Sequence, residues 1–181
     1  VLRQWSTLHP EFAFLPRKFK IAVSGAKEDR AAIYWHDIGL QLVKDEEDEI
    51  GFKVIVGGGM GRTPVIGTVI NSFVPWQQIL VYIEAIVRVY NRYGRRDNKY
   101  KARIKILVKA EGQRYIDEVE AEYKSIVEHD GAPHTISQAE LNRVSASFVP
   151  PALQCDRKSA DAKIAHILRA AAEDDVEFGR W

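Results

Sequence analysis

The sequence predicts an α+β fold, a mixed β-sheet flanked by helices, on three observations. Short β-branched runs fill the first third of the chain, amphipathic segments at helical spacing fill the rest, and one acidic run separates two of the apolar strands. With 181 residues, 46% of them hydrophobic and 28% charged, the chain can bury one substantial core. Twelve glycines, one cysteine and the ample apolar content exclude collagen-like, disulfide-built and disordered classes. A net charge of +1 argues against a general polyanion coat, so basic clusters have to be judged locally.

The opening residues VLRQWSTLHPEF have the pattern of an amphipathic helix tail, and with Val1 in first place they read as a piece of a longer polypeptide. After Pro10, the stretch Lys18 to Ser24 is β-branched-rich and closed by Gly25, which predicts the first strand, beginning near Pro16. Ile38 to Val43 and Gly51 to Val56 are two further strands, and the acidic run Asp45 to Glu49 is the solvated hairpin loop between them. From Pro75 to Gly94, Ile79, Leu80, Ile83, Ile86, Val87 and Tyr90 recur at helical spacing. Lys101 to Lys109 is ambiguous, because Ile104, Ile106 and Val108 alternate like a strand. Ile116, Val119, Tyr123 and Ile126 mark another helix, with Glu118, Glu120 and Glu122 expected outward. Ser137 and Glu140 form a capping box for a helix from Gln138 to about Ala146. Beyond Pro150-Pro151, Asp161 to Glu173 supplies a last helix, with Ile164, Ile167, Leu168 and Ala171 expected inward.

Several segments could carry chemistry. On an extended strand, Lys18 and Lys20 project to the same side about 7 Å apart, with Arg17 and Phe19 facing the other way. Two ammonium groups so placed make an anion site and a source of protons; the same pattern also fits an edge strand guarded by lysines. Gly57-Gly58-Gly59-Met60-Gly61-Arg62 fails as a dinucleotide fingerprint, since Arg62 stands where the last glycine belongs, and no Gly-Lys-Ser/Thr follows. Such glycines permit either close backbone approach to a flat or anionic group or a tight turn. Between Arg88 and Lys109 stand nine Lys/Arg against the single acid Asp97, a candidate nucleic-acid face. The interleaved Ile104, Ile106, Leu107 and Val108 need burial and argue against it. His129 and His134, five apart, are off helical register and predict no metal site; His36 beside Trp35 reads as a packed histidine. Cys155 is a lone thiol without a resolving partner, which fits a cytoplasmic protein. No signal-peptide pattern or run of roughly eighteen apolar residues occurs, so no membrane association is expected.

Taken together, LPRKFK, then GFKVIVGGGMGRTP, then the long helix and RRDNKYKARIK resemble the sirohaem domain of the nitrite/sulfite reductase family, from about Trp5 to Tyr123. The resemblance implies an enzyme in which sirohaem, bridged through cysteine sulfur to a 4Fe-4S cluster, carries out six-electron reduction of sulfite to sulfide or nitrite to ammonia. It implies that Lys18 and Lys20 reach the bound anion and help to deliver protons. It also implies that Arg17, the backbone of Gly57, Gly58 and Gly59, Arg103 and Lys105 lie near the sirohaem carboxylates, with Arg62 added on chemical grounds. Plant-type nitrite reductases usually carry Asn at the position of Lys20, so the lysine tips the substrate toward sulfite.

The family ligates its cluster through Cys-x5-Cys and Cys-x3-Cys pairs, whereas this chain has only Cys155. The expectation is therefore one half of the catalytic core, inactive alone, whose partners are sulfite or nitrite, the remaining half of the same polypeptide and a flavoprotein or ferredoxin donor. Residues 1–148 are assigned to that half and 149–181 to a helical connecting segment; the helical reading of Lys101 to Lys109 is favoured. The rivals are a nucleic-acid-binding module using the Arg88 to Lys109 face, and a scaffold half whose uncovered cofactor face self-associates.

Overall fold

A computed structural model of the chain describes residues 1–149 and 157–174. It divides into a unit spanning Val1–Val144 and a second spanning Ser145–Trp181. The first opens with two short helices, α1 (Leu2–Leu8) and α2 (Pro10–Ala13). Four strands follow, β1 (Ile21–Ser24), β2 (Ile38–Lys44), β3 (Ile50–Val56) and β4 (Thr68–Pro75), in spatial order β1-β2-β3-β4. β1 runs parallel to β2 and the other neighbours are antiparallel, so the sheet is mixed as expected.

The acidic run is the β2–β3 hairpin loop. Asp45 accepts hydrogen bonds from the backbone N–H of Glu47 and Glu49 (3.0 and 2.9 Å), and Asp48 takes the left-handed conformation that closes the turn. Strand alternation divides the sheet's faces: Ile38, Leu40, Val54 and Val56 join the helical core, while Ile55 lies on the face where Gly67 packs against it.

The helices supply the other layer. α3 (Ile79–Tyr93), preceded by a 3-10 turn at Trp76–Gln78, is buried along nearly its whole length. α4 (Ile104–Glu111) and α5 (Gln113–Glu128) join it, with Ile104, Val108, Tyr115, Val119 and Ile126 in one core with the sheet. The ambiguous 101–109 segment is thus a helix, because Ile104 and Val108, one turn apart, are its buried apolar stripe.

Other expectations need correction. The first strand starts at Ile21, not near Pro16; Lys18 to Lys20 form an irregular lead-in. Glu118, Glu120 and Glu122 do not face outward but pair with α3 and β4. α6 (Gln138–Ser145) begins with one half of the capping box, Ser137 Oγ accepting from Glu140 N–H at 3.2 Å, while the Glu140 carboxylate accepts from Arg143. In the second unit, α7 spans Arg157–Asp174, but Ile164, Ile167 and Leu168 are exposed rather than inward. Cys155 lies outside the described residues. Among those described, no helix is long and apolar enough to cross a membrane.

Candidate functional site

The segment before β1 is fixed by one ring and one carboxylate. Phe19 turns inward and stacks on Tyr90 of α3 with ring centroids 5.7 Å apart, leaving Lys18 and Lys20 exposed on either side. Tyr90 is itself held by its hydroxyl, which donates to the Ala102 carbonyl at 2.5 Å. Burial pushes the Tyr90 phenol up to about 12, with a further push from the Asp37 carboxylate. Arg17 does not share the inner face with Phe19 as expected. It is exposed and donates to the Lys99 carbonyl at 3.1 Å, because the irregular backbone ahead of β1 has no strand alternation to enforce.

Asp37, only 1% exposed at the start of β2, is the hub of the site. One carboxylate oxygen accepts the backbone N–H of Lys20 at 3.0 Å. The other accepts from Arg103 Nη2 at 2.8 Å and Nε at 3.3 Å. The Asp37 backbone carbonyl accepts from Gly57 N–H at 3.0 Å, and Lys20's own carbonyl accepts from Ile38 N–H at 3.1 Å. One buried residue therefore joins the lysine segment, the glycine loop and the N-terminus of α4.

The glycines are required by the protein's own packing. A Cβ on Gly58 would lie 2.2 Å from the Tyr34 carbonyl oxygen, and one on Gly59 would lie 2.9 Å from the Arg103 guanidinium. Gly57 adopts φ +85° where β3 turns into the loop. All three are buried, so they let the chain close tightly around Arg103. Lys105, 7% exposed, donates from Nζ to the carbonyls of Thr63 (2.6 Å) and Met60 (3.3 Å), tying down the loop. Burial, reinforced by the neighbouring Arg103, lowers the Lys105 pKa. Arg62 is exposed at the loop's outer turn.

The surface left open is a cleft of about 500 Å³ lined by Lys20, Ala32, Trp35, His36, Met60 and Arg103. Two cations stand beside apolar and aromatic side chains, a composition suited to a flat group carrying carboxylates or to a small anion. His36 is held by its Nδ1, 2.9 Å from the Ala32 carbonyl oxygen. The sequence-predicted residues thus fall into three sets, of which one, Arg17, Lys18 and Arg62, is exposed and not among the residues that line the cleft. Lys20 and Arg103 share the cleft; Gly57, Gly58, Gly59 and Lys105 build its support.

The profile of the nitrite and sulphite reductase 4Fe-4S domain matches residues 1–126. The chain belongs to the nitrite and sulfite reductase family. It is 35% identical over 112 residues to a sulfite reductase [NADPH] hemoprotein beta-component of Staphylococcus epidermidis, covering 58% of this chain and 19% of that protein. It is 33% identical over 142 residues to sulfite reductase [ferredoxin] 1 of Mycolicibacterium paratuberculosis, covering 75% of this chain and 25% of that protein. The solved structure of the NirA protein of Mycobacterium tuberculosis superposes with a TM-score of 0.58 at 32% identity, over 64% of this chain and 21% of that one. The chain therefore spans about a fifth to a quarter of the length of these relatives.

The family's two prosthetic groups fit these residues differently. A 4Fe-4S cluster needs four thiolates, and a sequence with one cysteine does not supply them. A carboxylate-bearing macrocycle fits in part, because Lys20 and Arg103 stand at the open cleft.

The basic stretch from Arg88 to Lys109 does not form a continuous phosphate-facing surface. Arg88 pairs with Glu84, Glu122 and Asp130, Arg92 with Glu122, and Arg95 with Asp97. Arg96 donates to the Phe14 carbonyl at 2.7 Å. Desolvation opposes the charge of Arg88, but its carboxylate partners raise its pKa on balance; for Arg92 the bond to Glu122 is the main cause of the rise. Sequence reasoning missed Asp37: it carries no motif, and its partner Arg103 lies 66 positions away.

Proposed function

We propose that this chain is the part of a sirohaem-dependent sulfite or nitrite reductase that supplies the anion-binding lysines and one wall of the tetrapyrrole pocket. The observation that carries the reading is the double anchoring on Asp37, whose carboxylate holds the Lys20 backbone at 3.0 Å and the Arg103 guanidinium at 2.8 Å. Lys18 and Lys20 then present ammonium groups to a small oxyanion, and each can hold a proton at Nζ for transfer as oxygen leaves. The exposed lysine at position 20 favours sulfite, whose charge and three departing oxygens draw on more cations and more proton donors.

In this reading Arg103 binds a ring carboxylate, Arg17 and Arg62 lie at the rim of the same region, and Gly57, Gly58, Gly59 and Lys105 fix the loop on which that wall depends. When bound, sirohaem would pass the donor's electrons to the anion and offer the position at which it is held. The chain's own contribution is to bind, orient and protonate. With one cysteine the chain alone would be inactive. The remaining half of the reductase would bring the cluster, and a flavoprotein or ferredoxin the electrons. A cytoplasmic location is part of the same proposal.

The test is a titration of the 181-residue chain with sirohaem, followed by its visible spectrum. Saturable binding near one to one is expected, weakened about tenfold or more in Arg103→Ala by the loss of charge-assisted hydrogen bonds, with the double variant Lys18→Ala, Lys20→Ala as control for the residues given to the small oxyanion. Binding of equal strength in the wild type and Arg103→Ala would overturn the assignment of Arg103. The ion pairs along Arg88 to Arg96 weigh against a nucleic-acid interface.

A further inference from the structure

We propose that His9, Glu84 and His134 form a binding site for a divalent transition-metal ion of the zinc class, separate from the reductase cleft. The three come from different elements of the first unit: His9 is the N-cap of α2, Glu84 lies in α3, and His134 sits in the loop after α5. Their ligand atoms all lie within 4.8 Å of one another.

The geometry is that of a preformed ligand set. His9 Nε2 and His134 Nε2 are 3.2 Å apart. Glu84 lies across both nitrogens, with Oε1 3.5 Å from His9 Nε2 and Oε2 3.4 Å from His134 Nε2. A tetrahedral ion with bonds of about 2.0–2.1 Å separates its donor atoms by about 3.3 Å, so the two imidazole nitrogens, and Glu84 Oε2 with His134 Nε2, already stand near that spacing. The site also contains a group the protein leaves unpartnered: Glu84 Oε2 is buried without a hydrogen-bond partner, on a side chain 3% exposed. A buried oxygen without a hydrogen-bond partner, 3.4 Å from one imidazole nitrogen that itself stands 3.2 Å from a second, is the arrangement a cation completes.

The surroundings support this assignment. Glu84 Oε1 is gripped by Arg88, through Nη2 at 2.8 Å and Nε at 3.1 Å, which orients the carboxylate and leaves Oε2 free. Arg88 is a cation near the site, but Glu122 and Asp130 each stand 3.1 Å from its Nη1, so its charge is offset before it reaches the ligands. His9 Nδ1 accepts from Glu11 N–H at 3.3 Å, a long contact that is given up when the ring proton moves to Nδ1 on metal binding. The site is reachable, since a cleft of about 430 Å³ bounded by Trp5, Arg88 and Asp130 opens onto all three ligands, and the His134 side chain is 29% exposed. A water from this cleft can take the fourth position, leaving a site of two histidines and one carboxylate open on one side.

The experiment is a titration of the metal-free 181-residue chain with Zn²⁺ by calorimetry, and with Co²⁺ by its visible absorption. One ion per chain is expected, with the strong visible bands of tetrahedral nitrogen and oxygen coordination. His134→Ala, at a partly exposed loop position that leaves the core intact, should weaken Zn²⁺ binding by about 10–100-fold or more, as should Glu84→Gln. Cys155→Ser should leave it unchanged. Absence of a one-to-one Zn²⁺ complex in the wild-type chain would overturn the proposal, as would binding that survives His134→Ala undiminished or depends on Cys155. Because sirohaem takes no part, failure here leaves the reductase reading intact.

Discussion

Replacing Asp37 by alanine tests the site's construction most severely. The substitution removes the acceptor of three hydrogen bonds, one from Lys20 N–H and two from Arg103, on a residue 1% exposed. Breaking a buried ion pair from one side costs about 3–5 kcal/mol. Arg103 keeps a quarter of its side-chain surface in water, so its stranded charge is partly solvated and the cost shifts down from that range to about 2–4 kcal/mol. For a chain of this length that corresponds to a fall in Tm of roughly 5–15 °C. Urea denaturation of the wild type, Asp37→Ala, Arg103→Ala and the double variant gives the coupling directly. A coupling of about 1–3 kcal/mol between the two positions is expected. Additive single effects, or an Asp37→Ala variant within about 0.5 kcal/mol of wild type, would refute the hub and with it the reason Lys20 and Arg103 share a surface.

Three further outcomes follow from the same contacts. Gly58→Ala places a Cβ 2.2 Å from the Tyr34 carbonyl oxygen and should cost about 1–3 kcal/mol or more, whereas Gly25→Ala, with nothing within 4 Å, should stay within about 0.5 kcal/mol; thermal melts of the pair check this. The Tyr90 phenol is raised to about 12 by burial, so its share of stability is complete below pH about 10 and is lost as the pH rises from there through about 12. Tyr90→Phe should make that part of the stability profile shallower, the remaining slope coming from the buried Tyr82 and Tyr115, whose phenols burial also raises, and identical alkaline slopes in the two proteins would contradict it. Oligonucleotide binding should be weak, because Arg88, Arg92 and Arg95 are already paired; a steep loss of tight binding with added salt would reinstate the nucleic-acid reading.

Much of the fold was legible because its signals are local. The periodicity of α3, the acidic hairpin loop and the Ser137 cap each depend on residues within one or two turns of one another. β4 went unread because Asn71 and Ser72 interrupt its apolar pattern and a bulge breaks its register with β3. Lys101 to Lys109 was ambiguous since Ile104, Ile106 and Val108 fit a period of two as well as one helical stripe, and only packing on α3 selects Ile104 and Val108. Glu118, Glu120 and Glu122 looked solvated because their partners, Arg88, Arg92 and Tyr82, lie on another helix.

The candidate site divides along the same line. The lysines flanking Phe19 and the glycine loop stood out as short motifs, and the order of those motifs carried the family resemblance. What joins them did not stand out, because Asp37 acts through contacts 17 and 66 positions away along the chain. His134 likewise found its partner 125 residues distant at His9, not at neighbouring His129.

Sulfite turnover by a complete reductase carrying this chain, with Lys18→Ala and Lys20→Ala introduced separately, tests the central claim most directly. Loss of an anion contact that also donates a proton predicts a fall of about two to four orders of magnitude in each variant. Turnover near wild type in both would contradict the claim that these two lysines serve the reaction.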